Sequence, residues 1–211
     1  MEQREIQCEA LINKCKQEAK QLAELAATKN KVHWSQSSFV SFCISVEEVL
    51  SYGVRKRYAT SKQLSSSAKI LADLGRRFPV AAATFDKCYG AKSHSSSSED
   101  YAHLVTSSTT ERRILWLRVA IIENSLVTIV NEIIKNADKY YTEYSAICHP
   151  VYGEVFGYLL DGPCSIRVSR LKIADTAISS PTPAEIVKRH NKVLSVSVCK
   201  IQQDGQSQTS T

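Results

Sequence analysis

Residues 111–136, ERRILWLRVAIIENSLVTIVNEIIKN, decide the fold. Ile114, Leu117 and Ile121 recur at helical spacing, with Leu115, Val119 and Ile122 on the flanks of the same cylinder. The first half therefore reads as a helix buried round most of its circumference. Glu123-Asn124-Ser125 interrupts the apolar run, and Leu126, Ile129, Val130, Ile133 and Ile134 resume it. The pattern allows two core helices meeting at Asn124-Ser125 or one kinked helix. Hydroxyls at residues 108–110 are placed to cap the start. Arg118, Glu123 and Glu132 break the stretch, so no run reaches the ~18 uncharged apolar residues of a membrane span. It reads as the core of a soluble domain. Arg118 stands in the most apolar part, and a buried guanidinium must be paired. Glu123 or Glu132 is the expected partner, in an internal ion pair that fixes the helix junction.

Working outward, 211 residues suffice for one domain with a sizeable core. Only 7 Gly and 5 Pro argue against a turn-rich all-β fold. The net charge of +6 suits an acidic partner or an anionic membrane surface, and is too weak to imply nucleic acid. The 7 Cys are scattered, with no CxxC pair and no zinc spacing to the five His. The start, MEQREIQCEA, is charged and polar, unlike a signal peptide. Reduced, mostly buried thiols in the cytosol are expected, without a disulfide framework.

Residues 2–29 form a long amphipathic helix whose apolar stripe runs through Ile6, Leu11, Cys15, Leu22, Leu25 and Ala26. Trp34 anchors the first turn of a second helix spanning 38–57, with Phe39, Phe42, Cys43, Val46, Val49, Leu50 and Val54 inward. Arg55-Lys56-Arg57 closes it, where three cations complement the helix dipole or form a contact patch for an acidic surface or phosphoinositide. Residues 61–77 and 80–89 give two shorter helices. Residues 91–109 are serine-rich and polar, which predicts a mobile insert within one domain. Tyr140, Tyr141 and Tyr144 fall on a further helix as a half-buried edge with wet hydroxyls. A stripe of Val151, Val155, Phe156, Tyr158, Leu159 and Leu160 follows, stopped by Gly162-Pro163. Residues 164–175 read as an extended segment over the helices with no strand to pair with. Thr182-Pro183 opens a last helix with Ile186, Val187, His190 and Leu194, and 195–211 read as a disordered tail. The sum is all-α: a single domain, residues 1–194, of seven or eight helices.

Chemistry is hard to place on this chain. It lacks phosphate-loop, dinucleotide, zinc-protease and nucleophile-elbow patterns. Cys148 and His149 are sequence neighbours, which rarely face each other as nucleophile and base. The basic run from Arg167 to Lys172 has no aromatic platform for nucleic acid. No enzyme, metal or cofactor is expected.

SFVSFCISVEEVLSYGVRKR (residues 38–57), LWLRVAIIENSLVTIV (115–130) and KYYTEYSAICHPVYGEVFGYLLDGPCSI (139–166) resemble, in that order, blocks of the RUN domain family. The central block matches the family pattern W-[LI]-R-x-A-x-x-E-x-x-L. GPCSIRVSRLKIADT followed by PTPAEIVKRH is similar to the RUN domain of the small G-protein signalling modulators. The likeness covers about Leu11 to His190. It implies an all-α domain without enzymatic activity that binds small GTPases of the Rab and Rap groups and, in some members, motor proteins. It also implies that Trp116, Arg118 and Glu123 are architectural. Full-length modulators add a GTPase-activating TBC domain; none is recognised in this sequence, so that activity is not transferred.

The expected role is thus a GTPase-binding module in membrane traffic, cytoplasmic and peripheral on vesicle or Golgi membranes. The alternative is an adaptor for motors or anionic membranes. The candidate contact residues are Arg55, Lys56 and Arg57; Arg167, Arg170 and Lys172; and Lys188, Arg189 and Lys192 on the last helix.

Overall fold

In the computed structural model the described residues are 2–29, 32–61, 64–90, 109–166 and 168–169. They lie in one compact unit, Met1–Arg170; the expectations for 91–108, Arg167, 170–194 and the tail fall outside the described residues.

The 111–136 stretch becomes two helices, α5 (Thr109–Ile122) and α6 (Leu126–Lys135), bent by 112°. Asn124 makes the bend at φ 55, a left-handed value that asparagine tolerates better than most side chains. Ser125 Oγ then donates to the Ala120 carbonyl (3.2 Å) across the corner. No single helix among the described residues is long and apolar enough to cross a membrane. Every residue from Ile114 to Ile121 is buried.

Six other helices surround this pair: α1 (Glu2–Lys29), α2 (Ser37–Ser51), α3 (Ser66–Gly75), α4 (Pro79–Tyr89), α7 (Ala137–Tyr140) and α8 (Pro150–Cys164). α1 packs on α2 and α8, α3 on α4, α4 and α2 on α5, and α6 on α8. Phe39, Phe42, Trp116, Tyr140, Tyr141 and Phe156 fill the centre. Ser65 caps α3, accepting from the Ala68 N–H (3.3 Å), and Pro79 occupies the first turn of α4.

Several expectations are corrected. On α1 the expected Cys15 and Leu22 are buried and Leu11, Leu25 and Ala26 pack against the core, but Ile6 is 60% exposed, and Cys8, Ile12 and Ala19 complete the buried stripe. α2 stops at Ser51, where Tyr52 turns extended (φ −77, ψ 128) and Gly53 follows at φ 70; Arg55–Arg57 therefore stand off the helix end and do not complement its dipole. Tyr140 and Tyr141 are wholly buried rather than half-buried; only Tyr140 ends the four-residue α7, and Tyr144 lies in the following turns. α8 runs through the expected Gly-Pro stop to Cys164, with Pro163 in its last turn. The segment after it does find a strand: Val168–Ser169 (β2) pairs in parallel with Val32–His33 (β1). At two residues each, these strands are too short to leave a periodic signal.

Arg118 is fully buried, but its ion-pair partner is Glu111 at 3.7 Å rather than Glu123 or Glu132. Its guanidinium faces the Trp34 ring at 5.5 Å, a cation–π distance. Its Nε, Nη1 and Nη2 have no hydrogen-bond partner among the described residues. Glu123 instead meets Lys87 (3.0 Å), joining the corner of α5 to α4.

Two distant segments are clamped beside Gly53. The Gly53 carbonyl accepts from the Thr142 N–H (2.8 Å) and Oγ1 (3.0 Å). The Arg55 N–H donates to the Tyr140 carbonyl (2.9 Å), and the Tyr141 hydroxyl donates to the Leu50 carbonyl (2.9 Å). This clamp carries the basic turn.

Candidate functional site

Two open depressions and a buried polar network stand out among the described residues. The network is built on Glu47, which α2 points into the core at 2% exposure. The Ser51 hydroxyl donates to its Oε1 (2.8 Å), and the Ser67 hydroxyl donates to its Oε2. Trp116 Nε1 donates in turn to Ser67 Oγ (2.8 Å). Burial raises the Glu47 carboxyl above its ordinary value, while the hydroxyls of Ser67, Ser51 and Ser65 and the Arg113 charge pull the other way. These hydrogen bonds hold α2, α3 and α5 together, and neither depression described below is lined by Glu47, Ser51, Ser67 or Trp116.

A pH dependence follows. The folded state holds the Glu47 proton more tightly than the unfolded chain does. The contribution of this group is therefore full below the ordinary value of 4.5 and is lost as pH rises through the raised folded value. Glu47→Gln keeps a hydrogen-bonding amide and removes the titration. In urea denaturation from acid to neutral pH, the stability difference is expected to shift in favour of Gln as pH rises. Parallel curves for the two proteins would contradict this.

The Cys148-His149 pair has local duties. His149 Nδ1 accepts from the Tyr152 N–H (3.3 Å) and so caps α8, and the Cys148 N–H donates to Ser145 Oγ (3.1 Å). Cys8, Cys15, Cys43, Cys88, Cys148 and Cys164 are free thiols. Burial pushes Cys15 up to about 11, and Cys43, Cys88 and Cys164 up to about 12, far from the range of a reactive thiolate. No group of three metal-ligating side chains occurs among the described residues.

The basic turn lies on the surface. Lys56–Tyr58 is a single 3-10 turn beginning at Arg55, with Arg55, Lys56 and Arg57 all exposed. They line a shallow basin of about 600 Å³ with Asp138, Lys139 and Thr142. Arg57 Nη2 donates to the Lys139 carbonyl (2.6 Å), and its guanidinium lies over the Tyr58 ring at 4.8 Å. Lys139 Nζ pairs with Asp73. Burial works to raise the Asp73 carboxyl, but Lys139, Tyr58 and Arg76 outweigh it and hold it below its ordinary value. Among the described residues no carboxylate forms an ion pair with Arg55, Lys56 or Arg57, so their charge is available. Asp138, Lys139 and Thr142 were not legible as neighbours of this turn, because the clamp joins segments more than 80 residues apart. The other candidate cations, Arg167, Arg170, Lys172, Lys188, Arg189 and Lys192, lie outside the described residues.

A family profile described as the RUN domain matches residues 41–172, more than half of the chain. The chain belongs to the RUN domain family. The matched segment runs from α2 past β2, so it contains the basic turn, the Glu47 network and the α5–α6 corner; Lys188, Arg189 and Lys192 lie beyond it. The helical architecture agrees, with eight α-helices among the described residues. Among curated proteins this RUN domain chain is 30% identical over 191 residues to human Small G protein signaling modulator 1, covering 85% of this chain and 17% of that protein. It is 29% identical over 199 residues to mouse Small G protein signaling modulator 2, covering 86% and 20%. It is 26% identical over 165 residues to the Caenorhabditis elegans Rab GTPase-activating protein tbc-8, covering 77% and 17%. The chain thus spans about a fifth of the length of these relatives.

Proposed function

We propose that this RUN domain is a non-catalytic docking module for small G proteins of the Rab or Rap type, acting in membrane traffic at the cytoplasmic face of vesicle or Golgi membranes. The observation that carries the reading is the exposed Arg55-Lys56-Arg57 turn, which forms no ion pair among the described residues and is tied down beside the Gly53–Thr142 clamp within the RUN-matched segment. Preorganised cations suit an acidic protein face, because little side-chain and loop freedom is left to lose on binding. The names of the relatives, small G protein signaling modulators and a Rab GTPase-activating protein, support a small G protein as partner. The thiols and His149 described above, held in structural roles, support a module without catalysis. Arg167, Arg170 and Lys172, and beyond them Lys188, Arg189 and Lys192, are proposed as further cations of the contact.

The test is a pull-down against a panel of Rab and Rap proteins loaded with GTP or GDP. A GTP-dependent partner is expected. The triple variant Arg55→Glu/Lys56→Glu/Arg57→Glu is expected to weaken it about tenfold or more, or roughly 1.4 kcal/mol. Binding that ignores the nucleotide throughout the panel, or survives the triple variant, would refute this reading. The open basin also favours an anionic membrane as a second reading; salt-sensitive sedimentation with anionic liposomes, abolished by the same variant, is its signature.

A further inference from the structure

The second depression adjoins the basic basin, shares Asp138 with it, and has a rim of the opposite sign. It is a groove of about 630 Å³ between α6 and α8, closed at one end by α7 and the turn before α8. Glycine lets α8 sit close to the turn before it, at Gly153, and to α6, at Gly157. A Cβ on Gly153 would stand 2.6 Å from the Ile147 carbonyl oxygen, and one on Gly157 would stand 3.3 Å from Asn131 Oδ1. Only part of the expected α8 stripe turns inward, with Leu159 packed against the core beside the buried Phe156 and Leu160. Phe156 and Leu160 face the core, while Val151 (58% exposed), Val155 (37%) and Tyr158 (68%) face outward at positions i, i+4 and i+7. Three large apolar side chains in helical register on an open face are what a helix-on-helix contact uses.

The rim is acidic, although the chain carries a net +6. Glu154 and Asp161 stand on α8 beside Tyr158, and Asp138 stands on α7 at the end of the groove. None of the three forms an ion pair among the described residues. Glu154 receives only the Tyr158 hydroxyl, at 3.4 Å. Lys135, also in the lining, is directed to Glu132 (3.5 Å).

We propose that this groove and the outward face of α8 dock a basic amphipathic helix of a partner protein. Its apolar positions would pack on Val151, Val155 and Tyr158, and its Lys or Arg residues would reach Glu154, Asp161 and Asp138. Two helices side by side offer the groove into which a third packs, at 8–10 Å between axes. The neighbouring elements are helices, so a strand would find no sheet edge here. A second copy in two-fold contact would set the same carboxylates against each other. An anionic lipid or an acidic protein face would meet repulsion. The site therefore differs in charge from the basic turn it adjoins, and its occupant differs from the G protein proposed there.

The probe is a synthetic, fluorescently labelled amphipathic peptide of roughly five helical turns, with Leu on one face and Lys and Arg on its flanks. Fluorescence anisotropy is expected to show saturable one-to-one binding that weakens with salt. Glu154→Lys/Asp161→Lys should reduce the affinity about tenfold or more, and Tyr158→Ala about fivefold. These residues are exposed, and an unchanged thermal melt verifies that the variants fold. The charge reversals at Arg55, Lys56 and Arg57 add negative charge beside Asp138 and should not weaken peptide binding, so failure here is distinguishable from failure of the G-protein reading. Absence of saturable binding overturns the proposal, as does equal binding of a matched peptide with Glu in place of Lys and Arg, or indifference to the α8 variants. Self-association in sedimentation that Tyr158→Glu abolishes would also overturn it, in favour of a second copy.

Discussion

Replacing Trp116 with Ala is expected to lower stability by about 3–5 kcal/mol, the usual loss when a large buried aromatic is truncated. For a domain of this size that is roughly 6–20 °C in Tm. Trp116 is fully buried on α5, and its indole N–H is the outer donor of the chain that runs through Ser67 to Glu47. Truncation opens a cavity and removes one partner from a network already holding a carboxyl in the core. Trp116→Phe retains much of the volume and loses the donor, so it should cost less, about 1–3 kcal/mol. Urea denaturation of the two variants separates packing from hydrogen bonding. A loss below about 1 kcal/mol for the alanine variant would mean that Trp116 is not a packing centre of the core.

Gly53→Ala is expected to cost about 2–5 kcal/mol, much more than a surface glycine change. Two terms combine. At φ 70 an alanine pays about 1–2 kcal/mol for left-handed backbone. Its Cβ would also stand 2.6 Å from Ser145 Cβ and 2.8 Å from Ser145 Cα, where neither chain can yield without disturbing the clamp, a displacement of about 1–3 kcal/mol. Asn124→Ala supplies the comparison, since Asn124 has φ 55 at an exposed corner and should pay the backbone term alone. Equal losses for the two variants would show that the approach to Ser145 does not matter. Gly53→Ala should also weaken G-protein capture, because Arg55 is tied to Tyr140 by the same clamp.

The centre of the fold was legible because 111–136 is apolar on nearly every side, and only a buried pair of helices accommodates that. The junction at Asn124-Ser125 was legible too, since three polar residues in such a run need a corner to stand on. What sequence periodicity could not decide was orientation. On α8 the apolar residues occur all round the helix, and its inward side was chosen by Gly153 and Gly157, whose value lies in a neighbour that only the fold supplies. The partner of Arg118 was misjudged for a related reason. Glu123 follows the end of α5 and turns to Lys87, whereas Glu111 lies two helical turns before Arg118 and returns to its face. The basic turn was found by composition but misplaced on a helix end, because nothing local in SYGVRKR announces that Gly53 goes left-handed to meet Ser145.

The bonds between Gly53 and Thr142 also bear on how the chain reaches this form. They join residues 89 positions apart, and closing a loop of that length costs about 4 kcal/mol in chain entropy. Near-neighbour pairings such as α3 with α4, and the α5–α6 corner, face no such toll, so they belong to the early stages of assembly and the Gly53–Thr142 junction to the late ones. The cost grows only logarithmically, about 0.6 kcal/mol for each doubling. The serine-rich stretch between α4 and α5 falls inside this loop, and relatives are therefore free to lengthen or shorten it with little thermodynamic consequence.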